Sequence, residues 1–597
     1  MPDLRDIKSQ YKNDKDAVVR LLEEAEKDFQ FYIGGSGQWA DEDIQKLNRE
    51  KRPIISFNMV LSKINTVDGF QRNNRYDIRY MPVESGDVDL ADIFNQLSKH
   101  IDYQNDWDQL EADAFKNTLI CGLWYFTLDI DYDKDPVYGE LIMGTESPWR
   151  IIPDCNAEQY DKQDGHHFWR LSWIDVGKAK ALWPDKKSEI EEKTQYYQAP
   201  EESTIKTVDI HLEDLYKDPK YIPYDKKSGQ IRIDEYWYKE YTEKEIFVNT
   251  QKGEIIDSEE ISSDLKQQLR NLPGYIVRNI IDTKIRVKSL FGDLILSDKP
   301  SPFRKGFLAK SFPFVPLYAY RLYWKGEEVI LGMTRNLRDP QQEINKRHCQ
   351  ILEIIGTQAH SGIMYEEDAL DKEVEELLST AGGKAGLKLK TRAGALSGGK
   401  IKPIIPPQFP QGILLLEKLG SDYIDMISGV RDWPSEKVEP GIALQVKERQ
   451  AIMTIASLFD NLKRSKRILG RFKLDGMQQV YNYEKTFRVI GENRFITINR
   501  QIFNEEGNLA NVENDINASA GKFDVMTMES PVSPTYRLMM FSTFFELAKQ
   551  YPHPRIIAIA LEFADIPSEK KAEIIDVLQS VSMPARGTGG QGVSASQ

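Results

Sequence analysis

The sequence predicts an α+β chain built from several packed units, and three observations carry that prediction. A proline-free run from Ile442 to Tyr481 keeps Ile452, Ile455, Phe459, Leu462, Leu469 and Phe472 at helical spacing, which at 1.5 Å per residue makes about 60 Å of helix. Alternation through Trp124, Phe126, Leu128 and Ile130 marks a strand, and strand-like runs recur as far as Tyr320. No self-similarity at a fixed period points to a solenoid or propeller.

Composition bounds the class. A length of 597 residues leaves room for about three to five structural units with sizeable cores. With 40% hydrophobic and 29% charged residues the chain reads as globular. Cys121, Cys155 and Cys349 are odd in number and far apart, which argues against a disulfide framework or a zinc site and for a reducing compartment. The charged start Met1-Pro-Asp-Leu-Arg-Asp has no apolar signal region, and no stretch approaches the roughly 18 apolar residues of a membrane span, so no membrane association is expected. Acidic residues outnumber basic ones, 93 to 79, for a net charge of −14. If DNA is a partner it is held locally or weakly, and an acidic channel would let it slide; solubility alone explains the charge equally well.

Taking the chain in order, Asp14 to Tyr32 forms an amphipathic helix through Val18, Leu21, Leu22, Ala25 and Phe29, ended by Gly34 to Gly37. Met59 to Asn73 is a helix capped by Asn58, and Asp89 to Cys121 is helical throughout. Leu123 to Met143 is a hairpin turning at Lys134-Asp135-Pro136, with a return strand from Val137. Asp129, Asp131, Asp133, Asp135 and Glu140 fit the ligand spacing of a calcium loop, but Lys134 replaces the glycine of the sharp turn and strands flank it. A solvated acidic face is the simpler reading. His166 and His167 are adjacent on a strand, so they point to opposite faces and do not chelate one ion.

Asp175 to Leu182 is a short helix, and Ser188 to Asp214 a polar insertion. Ile231–Tyr241, Lys244–Phe247, Gly274–Ile285 and Arg286–Ser297 are successive strands, with a helix from Ser258 to Leu272 capped by Asp257. Phe312 to Arg321 is the last strand of this half.

Next comes a strong helix start: Asp339 caps, Pro340 takes the first helical position and Gln342 completes a capping box. Ile344, Ile351, Leu352 and Ile355 share one face to about Gln358, with Asn345, Lys346, Arg347 and Gln350 around it. A second helix runs from Gln411 to Gly429. The insert between them inverts the chain's charge, because Gly382 to Leu416 holds no acidic residue yet carries Lys384, Lys388, Lys390, Arg392, Lys400 and Lys402. Pro434 and Pro440 then impose a loop carrying Arg431, Asp432, Trp433, Ser435, Glu436, Lys437 and Glu439. In the long helix that follows, Gly470 and Gly476 are the points where a kink is expected. Lys485 to Ile498 returns as a hairpin, Glu505 to Ala520 is a polar loop, and Phe523 to Met528 is a strand. Three helices follow, Thr535–Tyr551, Pro554–Phe563 and Ser568–Val581, before a flexible tail from Met583.

Motifs of catalysis are incomplete. Gly394 to Lys400 nearly matches a phosphate loop, but Ile401 replaces its Ser or Thr. Gly34-Gly-Ser36-Gly-Gln38 lacks the final glycine of a nucleophile elbow, and the seven histidines are scattered.

The order Gly332, Leu337-Arg-Asp339-Pro340-Gln341, Asn345, basic insert, short helix, Pro-bounded loop and long helix resembles the portal proteins of tailed double-stranded DNA bacteriophages, most closely those of short-tailed phages. The resemblance extends upstream through Arg52-Pro53, Phe57-Asn58, Asn65, Gly69, Arg72 and Asn74, then Cys121-Gly122-Leu-Trp124-Tyr125 to Pro153-Asp154. It implies a portal fold with a mixed wing (1–330), stem helices (331–360 and 411–430) around a small α/β clip (361–410), and a tunnel loop (431–441). A long wing helix with return strands (442–520), a helical crown (521–582) and a tail (583–597) complete it.

The resemblance further implies a non-enzymatic homo-oligomer, a dodecameric ring at one capsid vertex of the virion, assembled in the host cytoplasm and using no cofactor or metal. Its partners would be double-stranded DNA held without sequence preference, the terminase large subunit, a tail adaptor protein, and capsid and scaffolding proteins. The tunnel-loop residues would face DNA, and the clip cations terminase, adaptor or DNA. The reading from a different class is a metal-dependent nucleic-acid-processing enzyme using Asp129 to Asp135, under which the order of stem, clip and stem has no purpose.

Overall fold

A computed structural model describes residues 3–50, 52–83, 88–198, 223–225, 227–250, 255–257, 261–272, 274–359, 363–367, 369–381, 390–403, 411–430, 441–489, 494–503, 509–516, 523–529, 534–551, 553–564, 570, 571 and 574. It is mixed α+β, as the periodicities require. The long helix is Gly441–Val480, 40 residues without a break. It buries Leu458, Leu462, Leu469, Phe472 and Met477 in the largest core, against helices Val88–Gln104 and Trp107–Cys121. A three-stranded antiparallel sheet ordered Phe314–Tyr318, Leu123–Asp131, Glu140–Glu146 closes that core.

Polar bonds pin the second half of the same helix, from Asn461 to Gln479. Asn461 donates to Ala319 O at 2.9 Å and Ser465 to Pro316 O at 2.7 Å. Lys473 reaches Ser98 O and Asp102, Asp475 accepts from Leu308 N, and Gln479 bonds Pro302 O and Arg304 N. The helical assignment is continuous through Gly470 and Gly476, and both glycines have a packing role. A Cβ on Gly470 would lie 2.6 Å from Val525, and one on Gly476 would lie 2.9 Å from Leu141, so these glycines allow close approach of strands to an unbroken helix.

A larger antiparallel sheet runs Leu294–Pro300, Tyr275–Phe291, Gln230–Asn249, His167–Asp175, Ile151–Pro153, with Tyr224–Asp225 and Ile255–Asp257 also on the third strand. The N-terminal helix lays Ile7 and Tyr11 on this sheet. That packing explains why the helix spans Leu4–Ile33 instead of starting at Asp14: tertiary contact sustains its weakly patterned first turns.

Other elements depart from their expected bounds for local reasons. The stretch from Asp89 is two helices, because Asp106 adopts φ 49° between them. The return strand starts at Glu140: Asp131 accepts from Asp133 N, and Asp135 from Val137 and Tyr138 N, which holds the intervening residues as turns. Ile231–Tyr241 and Lys244–Phe247 are one strand, since Thr242 and Glu243 pair with Asp282 and Ile281; Tyr275–Phe291 likewise merges two expected strands. Ser262, not Asp257, caps the helix that follows, Ser263–Asn271. The expected strand from Phe312 is shorter and is followed by a tight hairpin, Tyr320–Trp324 with Glu327–Leu331, turned by Lys325 at φ 52° and Gly326 at φ 83°. Within the expected loop from Glu505, Leu509–Glu513 pairs with Arg500–Phe503. Strand Phe523–Glu529 pairs with Tyr76–Pro82, and helices Pro534–Gln550 and Pro554–Phe563 follow. Most of the expected third helix, Ser568 to Val581, lies outside the described residues.

Candidate functional site

The first stem-type helix is Met333–Ala359, so it starts ahead of Asp339 and holds Pro340 in its interior. The capping box is therefore not formed, and Asp339 is an exposed residue of the helix. What carries the turns before the proline is tertiary. Gly332 packs so tightly that a Cβ would lie 2.2 Å from Ile120 O, and Met333 and Leu337 are buried in the main core. Arg335 and Arg338 converge on Asp28 of the N-terminal helix, a side chain with no exposed surface. Arg335 donates to Asp28 at 2.7 and 3.0 Å, and Arg338 at 2.7 Å. Burial pulls the Asp28 carboxyl up while the two guanidiniums pull it down. Its neighbour Glu24 is lowered to about 2, first by its hydrogen bond from Lys27 and then by Arg338.

Two turns beyond Arg338, Asn345 is fully buried and accepts from Phe57 N at 3.0 Å while donating to Gln38 at 2.9 Å. Gln341 donates to Phe57 O at 2.6 Å and accepts from Met59 N at 3.0 Å. The two amides thus read the backbone that leads into helix Met59–Asn73, which Asn58 caps through Leu61 N as expected. Lys346 pairs with Asp43 at 2.7 Å; Arg347 pairs with Glu343 at 3.3 Å and donates to Gln350.

The second stem-type helix, Gln411–Ser428, packs on the first, with Gly420 against Ile344 and His348 bonding Glu417 at 2.7 Å. Lys63, 1% exposed, lies 2.7 Å from Asp425 and ties this helix to helix Met59–Asn73. The insert between the stem helices is an α/β unit: Ile363–Tyr365 pairs with Ile401–Pro403, helix Lys372–Ala381 joins it, and Ala369, Leu370 and Ala395 form its small core.

The expected site residues divide into three groups. Asp339, Asn345, Lys346 and Arg347 share the first stem-type helix. Among the clip cations, Lys390 and Lys402 are exposed, Arg392 pairs with Asp371 at 2.8 Å, and Lys400 lies 3.6 Å from Glu366. Lys384 and Lys388 lie outside the described residues, as do Arg431, Asp432, Trp433, Ser435, Glu436, Lys437 and Glu439. Sequence reading missed Asp28 and Arg335, and held Arg338 and Gln341 only as members of a motif without a role; the arginines' spacing of three was the available signal, since it puts both on one helical face.

The acidic run does not converge. Asp129 pairs with Arg170 at 2.9 Å, Glu140 bonds Tyr481 and Lys485, and Asp131 and Asp135 accept from turn amides. Among the described residues, Asp14, Asp154 and Cys155 bring candidate metal-binding atoms within 4.8 Å. There Asp14 already accepts from His167 at 2.6 Å, Trp169 at 3.0 Å and Cys155 N at 3.0 Å. His166 instead bonds Tyr241 at 3.0 Å, so the two histidines do point apart. No helix among the described residues is long and apolar enough to cross a membrane.

The chain is 27% identical over 139 residues to the portal protein of Helicobacter pylori bacteriophage KHP30, a match covering 23% of this chain and 23% of that relative. The model of the phage P22-like portal protein family matches residues 8–592. With nearly its whole length matched, this chain belongs to the family of phage P22-like portal proteins.

Proposed function

We propose that the chain is the structural subunit of a portal: about twelve copies close into a ring at one capsid vertex of the virion, and DNA enters and leaves through its centre. The observation that carries this reading is a pair of packed stem-type helices joined through a small α/β unit and locked to the body by Asp28 with Arg335 and Arg338, in a chain of the portal family. In this reading residues 1–330 and 442–520 are wing, 331–360 and 411–430 stem, 361–410 clip, 431–441 tunnel loop and 521–582 crown. The clip docks the terminase large subunit and later a tail adaptor, and capsid and scaffolding proteins meet the rest of the ring. Among the described residues, Lys390 and Lys402 are exposed, whereas Arg392 and Lys400 face their own acids. The net charge of −14 suits a channel that does not trap DNA.

The mass and negative-stain appearance of the purified chain test the ring. Rings of about twelve copies with an open centre are expected; a monomer at all concentrations and salts overturns the reading. For the tunnel loop, shortening Arg431 to Gly441 is expected to impair DNA retention and packaging, and unchanged packaging sinks that role. The enzyme reading has less support, because Asp129 and Glu140 are engaged by Arg170 and Lys485 instead of converging.

A further inference from the structure

The long helix sorts its cations by residue type. From Thr454 to Val480 it carries Lys463, Arg464, Lys466, Arg467, Arg471 and Lys473 against two acids, Asp460 and Asp475. Lys466 and Lys473 turn inward, where Glu111 and Asp102 neutralise them, and Lys463 lies over the Tyr76 ring. The arginines stay outside. Arg464, Arg467 and Arg471 are all exposed, and their spacing of three and four puts them in one stripe about 10 Å long. Among the described residues no ion pair engages any of the three. Asp460 stands exposed beyond one end of the stripe, and Asp475, beyond the other, is turned onto Leu308 N. Arginine is ordinarily the better partner for a buried carboxylate and the better ligand for phosphate. Here lysines make the buried pairs, and the arginines are left on the surface.

We propose that this stripe is a binding site for the phosphate backbone of double-stranded DNA, a proposal that deepens the portal reading above and rests on it. Cations lined along one helix face are the electrostatic footprint of a phosphate strand, which fixes position without reading sequence. The line is held ready. Arg464 is stacked on Tyr160 at 4.0 Å, and the helix beneath it is fixed by Asn461 and Ser465, so little ordering is needed on contact. An acidic protein segment is the other polyanion to weigh, but a protein interface has an apolar centre. From Thr454 to Val480 the helix exposes no large apolar side chain. In a chain of net charge −14 the stripe confines DNA contact to one line, while the surrounding field repels it.

Fluorescence anisotropy of a labelled mixed-sequence duplex, across a salt series, compares the full chain with the triple variant Arg464→Gln, Arg467→Gln, Arg471→Gln. All three positions are exposed, so circular dichroism of the variant should match the parent. Each lost phosphate contact lowers the slope of log affinity on log salt by about 0.9, so a fall of roughly two to three is expected, with binding about tenfold weaker or more at low salt. Duplexes of unrelated sequence should lose affinity equally. An unchanged slope overturns the proposal, and so does a parent that binds polyglutamate through these arginines but no duplex. Mass photometry of the same samples separates the two readings. A parent that forms no ring overturns the ring reading itself; parent rings whose DNA binding the variant matches overturn the stripe alone. Should the variant misfold, a photo-crosslinking amino acid at position 467 decides. Crosslinks to the duplex are expected, and crosslinks confined to protein overturn the site.

Discussion

Lys466 Nζ sits 2.5 Å from Glu111 Oε2, and both side chains are 4% exposed. The pair joins the long helix to helix Trp107–Cys121 inside the main core. Burial pulls the Glu111 carboxyl up against the lysine's opposing pull. Replacing Lys466 by Met strands a buried carboxyl, at a cost of about 3–5 kcal/mol. The double change Lys466→Met with Glu111→Leu should recover most of that. Denaturant unfolding of the three chains checks both, and equal losses in the single and double variants would contradict the pairing.

Asp28→Asn keeps the shape of the carboxylate but removes the charge that Arg335 and Arg338 share. The two partly buried guanidiniums are then left with Glu24 alone, 2.8 Å from Arg338 and 3.6 Å from Arg335, as counter-ion, at a cost of about 1–3 kcal/mol. Hydrogen exchange should quicken through Thr334 to Asn345 while the strands Ile363–Tyr365 and Ile401–Pro403 stay unchanged. Uniform protection throughout would show that the arginines do not hold helix Met333–Ala359.

Glu24 gives a pH dependence. Its carboxyl is lowered from 4.5 to about 2, so its contribution to stability is complete above pH 4.5 and is lost as pH falls through about 2. The gap in stability between the parent and Glu24→Gln should narrow across that window. A gap independent of pH there would rule out the linkage.

Two glycines should respond in opposite directions. Gly122 has φ 99° and a Cβ there would meet Leu331 C at 2.7 Å, so Gly122→Ala costs at least about 1–3 kcal/mol of backbone strain. Gly356 lies in helix Met333–Ala359 with nothing within 4 Å, so Gly356→Ala stabilises by about 0.5–1 kcal/mol. Thermal unfolding of both variants decides.

The elements legible in the sequence were those whose signal is local. Asn58 caps its helix, the short helix expected from Asp175 is Val176–Leu182, and the long helix has the bounds its periodicity gives to within a residue. Pro340 misled because a proline inside a helix is normally costly, and the contacts that outweigh it come from Asp28 and Phe57, far away in sequence. The clip's cations read as a bare basic loop for the same reason. Asp371 and Glu366, which pair with Arg392 and Lys400, precede the acid-free stretch and meet it only once Ile363–Tyr365 pairs with Ile401–Pro403.

The bonds along Gly441–Val480 have a mechanical meaning. Asn461, Ser465, Lys466, Lys473, Asp475 and Gln479 each hold a different neighbour. A slip by one residue would move each of them about 1.5 Å and turn it about 100°, so all would fail together. From Asn461 to Gln479 the helix is a keyed shaft with one angular setting: load reaching that span is either absorbed by elastic bending or moves the helix and its neighbours as a single body.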